Sequence, residues 1–175
     1  SGITFDGFTE SSPSLGDSAV RFIRCLAHDC GADGFLAQGR GVTFRQCVAI
    51  DCGSEGFRMG NAYSGMLKNC IAHACGTGFR IENAMTLFGC AANYCTGDGV
   101  YVSGNARLGT ALHDCLLHEN GGYGIAGAAS QQVQLYSVAS FGNASGRINA
   151  ANVNALVDED PITADPLLRV PNPAT

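Results

Sequence analysis

The stretch Phe44-Arg45-Gln46-Cys47-Val48-Ala49-Ile50-Asp51-Cys52-Gly53-Ser54-Glu55-Gly56-Phe57-Arg58-Met59 decides the fold, because the chain repeats its layout from Phe22 to Ala37, Leu67 to Ile81, Leu87 to Val102, Leu112 to Gly127 and, degraded, Leu135 to Asn149. The leading marker is Cys25, Cys47, Cys70, Cys90, Cys115 and then Val138, so the steps are 22, 23, 20, 25 and 23 residues. A second marker (Cys30, Cys52, Cys75, Cys95, Asn120, Asn143) follows, and then a glycine (Gly34, Gly56, Gly78, Gly99, Gly124, Gly146). The glycine follows the second marker by three or four residues, and the larger length variation falls after it. Such a unit is internally tight and joined to the next by one elastic turn, which is the signature of a stacked repeat.

With 175 residues and no break in composition before the tail, the chain reads as one domain. Its 24 glycines and low charge suit short strands joined by tight turns and argue against disorder. A net charge of −5, with nine arginines and a single lysine, Lys68, gives no general basic face, so nucleic-acid binding and membrane insertion are not expected. An acidic polysaccharide would need a local arginine patch. The chain starts at Ser1-Gly2 already in strand register and reads as part of a longer protein whose signal-bearing N-terminus is missing.

Nine cysteines invite a disulfide or metal reading. The spacing C-x4-C is not that of a zinc ribbon, and no histidines follow at finger spacing. Equivalent cysteines stacked about 4.8 Å apart would carry parallel Cβ vectors that disfavour the torsion of a bridge. The cysteines are therefore expected as free, buried thiols packing as small hydrophobes, with no metal and no cofactor.

A period of this length is too short for propeller blades and lacks the leucine-rich-repeat pattern, which leaves a β-solenoid. The period of two in strands places Val42 and Phe44, Cys47 and Ala49, and Phe57 and Met59 on the inside, giving three short strands per coil. Between the first and second strands the chain must bend within about one residue, at Gln46, Asn69, Gly89 and Asp114, where a left-handed conformation is expected. The glycines of Asp33-Gly34, Glu55-Gly56 and Asp98-Gly99 are expected to serve the same purpose before the third strand. Phe35, Phe57, Phe79, Val100 and Ile125 should stack in one internal ladder.

The unit resembles the right-handed parallel β-helix repeat of pectate lyases, other polysaccharide-active proteins and bacteriophage tailspikes, over roughly residues 3 to 150. That likeness implies an all-β, single right-handed parallel β-helix of about six to seven coils spanning residues 1–150, with Ile3 to Phe8 as one irregular coil. Residues 151–175 hold four of the five prolines and are expected to fold over the open end as a Pro-rich cap. Within that tail, Ala164-Asp165-Pro166-Leu167-Leu168 is similar to the closing segment of many bacterial and phage β-helix proteins.

Function in a solenoid belongs to outward residues that stack into ladders. One ladder carries Leu36, Arg58, Arg80 and Tyr101, with Asp33, Glu55 and Asp98 in the preceding turn and Glu82 just beyond. Arg58, Arg80, Glu82 and Tyr101 are groups that bind sugar hydroxyls and uronates. A catalytic alternative pairs Asp33 with Glu55 at a retaining-glycosidase separation, or Glu55 with Asp98 at an inverting one. In its lyase form Arg58 or Arg80 takes the proton α to a uronate while a calcium ion on the acids steadies the enolate. A second ladder holds His28, His73 and His118 in alternate coils, about 10 Å apart and too far for one ion. A third, Leu26, Val48, Ile71, Ala91, Leu116 and Ala139, makes an apolar stripe whose Leu26, Val48, Ile71 and Leu116 would form an oligomer interface, as in a homotrimer of parallel rods. The expectation is a structural and glycan-recognising segment of a phage tailspike, tail-fibre or other extracellular protein, binding a polysaccharide or surface glycan and located outside the cell or on a virion. The alternative is a polysaccharide lyase or glycoside hydrolase in the same groove.

Overall fold

Alternation within each copy becomes three short strands, and the one-coil offset between copies becomes parallel pairing. The computed structural model describes residues 7–10, 20–60, 65–103, 109–128, 131–149, 151 and 153–159. Among them there is no helix, and the strands form two seven-stranded sheets and one six-stranded sheet, all parallel. The front sheet stacks Phe8–Glu10, Phe35–Ala37, Glu55–Met59, Thr77–Ile81, Val100–Val102, Tyr123–Gly127 and Gly146–Ile148. The second runs from Arg21–Ile23 through Thr43–Arg45, Gly65–Lys68, Met85–Phe88, Thr110–His113 and Gln131–Tyr136 to Val153–Glu159. The third holds Leu26–His28, Val48–Ile50, Ile71–His73, Ala91–Asn93, Leu116–His118 and Ala139–Phe141. The chain is a parallel β-solenoid, as the repeat implies.

Register confirms the inward set. Phe22, Phe44, Leu67, Leu87, Leu112 and Leu135 pair in one ladder, and Ala27, Ala49, Ala72, Ala92, Leu117 and Ser140 in another. The front sheet contributes Phe35, Phe57, Phe79, Val100 and Ile125, all fully buried. Their rings lie face to face, with centroids 4.7 Å apart for Phe35 and Phe57 and 5.1 Å for Phe57 and Phe79, because strand spacing sets ring spacing. Phe44 meets Phe57 edge-on across the core at 5.7 Å. The cysteines fill the corners. All nine are free, and the thiols turn to carbonyls of their own bend or the preceding coil, as Cys47 Sγ does to Arg45 O at 3.5 Å and Phe22 O at 3.4 Å. Where the second marker becomes asparagine, Asn120 donates from Nδ2 to Asn143 Oδ1 at 2.9 Å and accepts from Cys95 N at 3.1 Å, so a buried amide ladder continues the thiol column.

The first bend is left-handed as expected: Gln46, Asn69, Gly89 and Asp114 have φ of 56°, 53°, 58° and 52°. The expectation for the second bend needs correction. Gly34, Gly56 and Gly99 do not have positive φ; the left-handed residues there are Asp29, Asp51, Ala74, Tyr94 and Glu119, directly after the third-sheet strands. The glycines are required for close approach instead. A Cβ on Gly34 would lie 2.8 Å from Gly56 O and 2.9 Å from Cys52 Sγ. In the degraded copy Ile125 pairs with Ile148 and Tyr123 with Gly146, so Arg147 and not Gly146 stands opposite Gly124. Past residue 150, where the repeat has lapsed, Val153–Glu159 still pairs with Gln131–Tyr136 through a register shift. The opening residues 1–6 and the proline-rich residues 160–175 lie outside the described residues.

Candidate functional site

Two adjacent strands of the front sheet, Glu55–Met59 and Thr77–Ile81, each reach five residues. Outward positions there stack as Thr9, Leu36, Arg58, Arg80, Tyr101 and Ala126. One column upstream Glu55 pairs with Thr77, and Gly34 N and Gly78 N bond to the carbonyls of Glu55 and Asp98, so Asp33, Glu55, Thr77 and Asp98 share a column. Glu82 follows the strand and is anchored by its amide on Met59 O at 3.0 Å.

These side chains form one network. Glu82 Oε1 accepts from Arg58 Nε at 3.3 Å and from Arg80 Nε at 3.2 Å. Arg80 Nη1 donates to Glu55 Oε1 at 3.1 Å, while Arg58 Nη1 lies 3.8 Å from Asp33 Oδ2. Tyr101 closes the row, its ring centroid 5.6 Å from the Arg80 guanidinium carbon. The guanidiniums stay accessible, at 39% and 36% side-chain exposure, whereas Asp33 is at 6%.

Burial and the hydrogen bond with Glu55 push the Asp33 carboxyl up to about 7. Burial would raise Glu55 too, but the hydrogen bonds from Asp33 and Arg80 outweigh it and hold Glu55 below the usual carboxylate range. Adjacent acids thus divide one charge between them. With Asp33 protonated, two guanidiniums face the carboxylates of Glu55 and Glu82, and the network is internally neutral. Asp33 Oδ1 also accepts from Glu55 N at 3.1 Å, and Asp98 Oδ1 likewise from Tyr123 N at 2.7 Å. Both aspartates therefore hold the next coil's backbone. Asp98 stands apart from the arginine network, and Thr77 separates it from Glu55 in the column. No group of three or more His, Cys, Asp or Glu side chains converges as a cation site among the described residues, and the acids that the lyase alternative assigns to calcium are already tied to arginines and amides. They do not fit that ion.

The histidines fall in one column, His28, Ile50, His73, Asn93, His118 and Phe141, and so in alternate coils. His118 Nε2 lies 3.4 Å from Glu119, and Tyr94 packs edge-on to His73 and His118. Leu26, Val48, Ile71 and Leu116 also share a column, with Leu26 and Ile71 the most open, at 58% and 41%. Sequence reasoning missed a ladder beside it: Ile23, Arg45, Lys68, Phe88, His113 and Tyr136. Phe88, His113 and Tyr136 stack at 4.6 and 4.4 Å. Each of these residues precedes its leading marker by two positions, so the alignment held the signal, but mixed chemistry disguised it.

A family model described as right handed beta helix region matches residues 14–157. No curated protein and no solved structure gives a significant match.

Proposed function

The chain belongs to the right-handed β-helix family and is a structural or carbohydrate-related solenoid, and we propose that its front sheet recognises a glycan laid along the rod. The observation that carries this reading is the Arg58–Glu82–Arg80–Glu55 network with Tyr101 at its end. A sugar diol donates and accepts at once, and a paired guanidinium and carboxylate offer the complementary donors and acceptors on an exposed, rigid sheet. Because each arginine is already neutralised, a uronate would meet Glu82 and Glu55 as like charges, so the favoured ligand is a neutral glycan. Rods of this kind suit a phage tailspike, tail fibre or another extracellular protein.

One observation favours a second reading, a glycoside hydrolase: Asp33 and Glu55 are neighbouring carboxyl groups pushed in opposite directions, as an acid and its partner require. Burial of Asp33 and its bond to the backbone of the next coil favour binding over catalysis, since a catalytic acid must reach the glycosidic oxygen. Affinity electrophoresis through gels holding neutral or uronate polysaccharides tests both readings. Retardation by a neutral glycan, lost in the Arg58→Ala/Arg80→Ala variant without change in the glycan, supports recognition. Unaltered mobility in every gel refutes it, and shortened glycan after incubation establishes the hydrolase instead.

A further inference from the structure

The third sheet has borders of opposite charge. At the bend entering it stand Arg24, Arg45 and Lys68, all exposed; at the bend leaving it stand Asp29 and Asp51, also exposed. Arg24 and Asp29 bracket the strand Leu26–His28, and Arg45 and Asp51 bracket Val48–Ile50, so each of these coils carries one border of each sign. Between them runs the stripe opened by Leu26 and Ile71, with Ile23 beside it at 53% exposure. None of the three cations has an acidic partner among the described residues: Arg24 bonds to Gln46 at 3.3 Å, and Lys68 sits 5.9 Å above the Phe88 ring. Every arginine of the front network, by contrast, is paired with acid.

We propose that this face is an interface between copies of the chain, and that the copies lie parallel, coil level with coil, over the first three coils of the third sheet. A copy turned about an axis along the rod presents its Asp29 and Asp51 border to the Arg24, Arg45 and Lys68 border of its neighbour, while the leucine and isoleucine stripes meet between them. Hydrophobic burial supplies the attraction, and the borders set direction and register. An antiparallel arrangement trades the attraction of Arg45 for Asp114 against the repulsion of Asp51 by Glu119. Farther along, the parallel arrangement sets Asp114 against Glu119, and the stripe is interrupted at Ala91, beyond which the half-buried Leu116 stands between Ala91 and Ala139. The contact is thereby confined to the N-terminal half of the rod, and of the stripe residues Leu116 falls outside it.

This inference stands apart from the glycan reading and is tested by molar mass in light scattering at micromolar concentration. The parent chain should run at a multiple of the chain mass. Arg24→Glu/Arg45→Glu should raise the dissociation constant by at least about tenfold. Adding Asp29→Arg/Asp51→Arg to the same chain should restore the parent mass, because the borders are exchanged and again complementary. Circular dichroism and thermal melting of each variant check that these exposed substitutions leave the fold intact. A monomeric parent, or a four-fold exchange that stays dissociated while folded, overturns the proposal.

Discussion

Asp33→Asn should stabilise the protein at pH 8, although it removes a charge next to Arg58. Asp33 titrates at about 7 when folded against 3.8 when unfolded, because burial and the bond with Glu55 favour its neutral form. Between those values the folded state holds a proton that the unfolded state releases, so stability is highest below 3.8 and falls as pH rises to about 7. At about 1.4 kcal/mol per pH unit the loss is bounded near 4 kcal/mol. Glu55, held low by the same bond, gains stability above its unfolded value and returns part of that loss. Asparagine keeps the acceptor for Glu55 N, replaces the acid proton with an amide donor toward Glu55, and has nothing to ionise. The expected gain is about 2 kcal/mol at pH 8, shrinking toward zero at pH 4. Urea unfolding of both proteins at these pH values measures it. A variant destabilised equally at pH 4 and pH 8 would refute the shared-proton reasoning.

Phe57→Ala removes a ring stacked on Phe35 and Phe79 and should cost about 3–5 kcal/mol in chemical unfolding. Gly56→Ala brings a Cβ to 2.8 Å from that of Ala72 and 2.9 Å from Gly78 O, and should cost about 1–3 kcal/mol although glycine φ is unremarkable there. Asn120→Ala strips the acceptor from Cys95 N and the partner from Asn143, and should cost about 2 kcal/mol by the same assay. Thiol titration at pH 8 should find only the half-buried Cys25 and Cys30 reactive in the native protein and all nine in guanidinium, since the other seven are buried in the stacked coils.

Strand parity was legible because a side chain in a strand has only two sides, and Phe44, Cys47 and Phe57 each choose the apolar one in every copy. The front ladder followed from the same count, so Leu36, Arg58, Arg80 and Tyr101 were found in register. The second bend was not legible. Asp29, Asp51, Ala74, Tyr94 and Glu119 share no left-handed preference, and alanine and tyrosine each resist that conformation by about 1 kcal/mol. Amide bonds to the next coil impose it, such as Asp29 N to Ile50 O at 3.0 Å and Ala74 N to Asn93 O at 3.0 Å. Ladder pairing, a property of the stack, overrode the propensity of the residue.

The arginine network shows the same limit on side chains. Register put Arg58 beside Arg80, but only the folded geometry shows Glu82, one residue past the strand, bonded to both. Nor does an Asp-Gly turn reveal that its carboxylate holds the next coil, as Asp33 and Asp98 do. That engagement separates Asp33 and Asp98, which brace the stack, from Glu55 and Glu82, which accept the hydrogen bonds of the arginines.

Glycan binding at the front ladder is open to nuclear magnetic resonance of the arginine Nε–H groups while a neutral oligosaccharide is added. Saturable shifts are expected at Arg58 and Arg80, which bond to Glu82, with the other arginines unmoved. Shifts confined to Arg24 and Arg45 beside the third sheet, or none at saturating sugar, would contradict it.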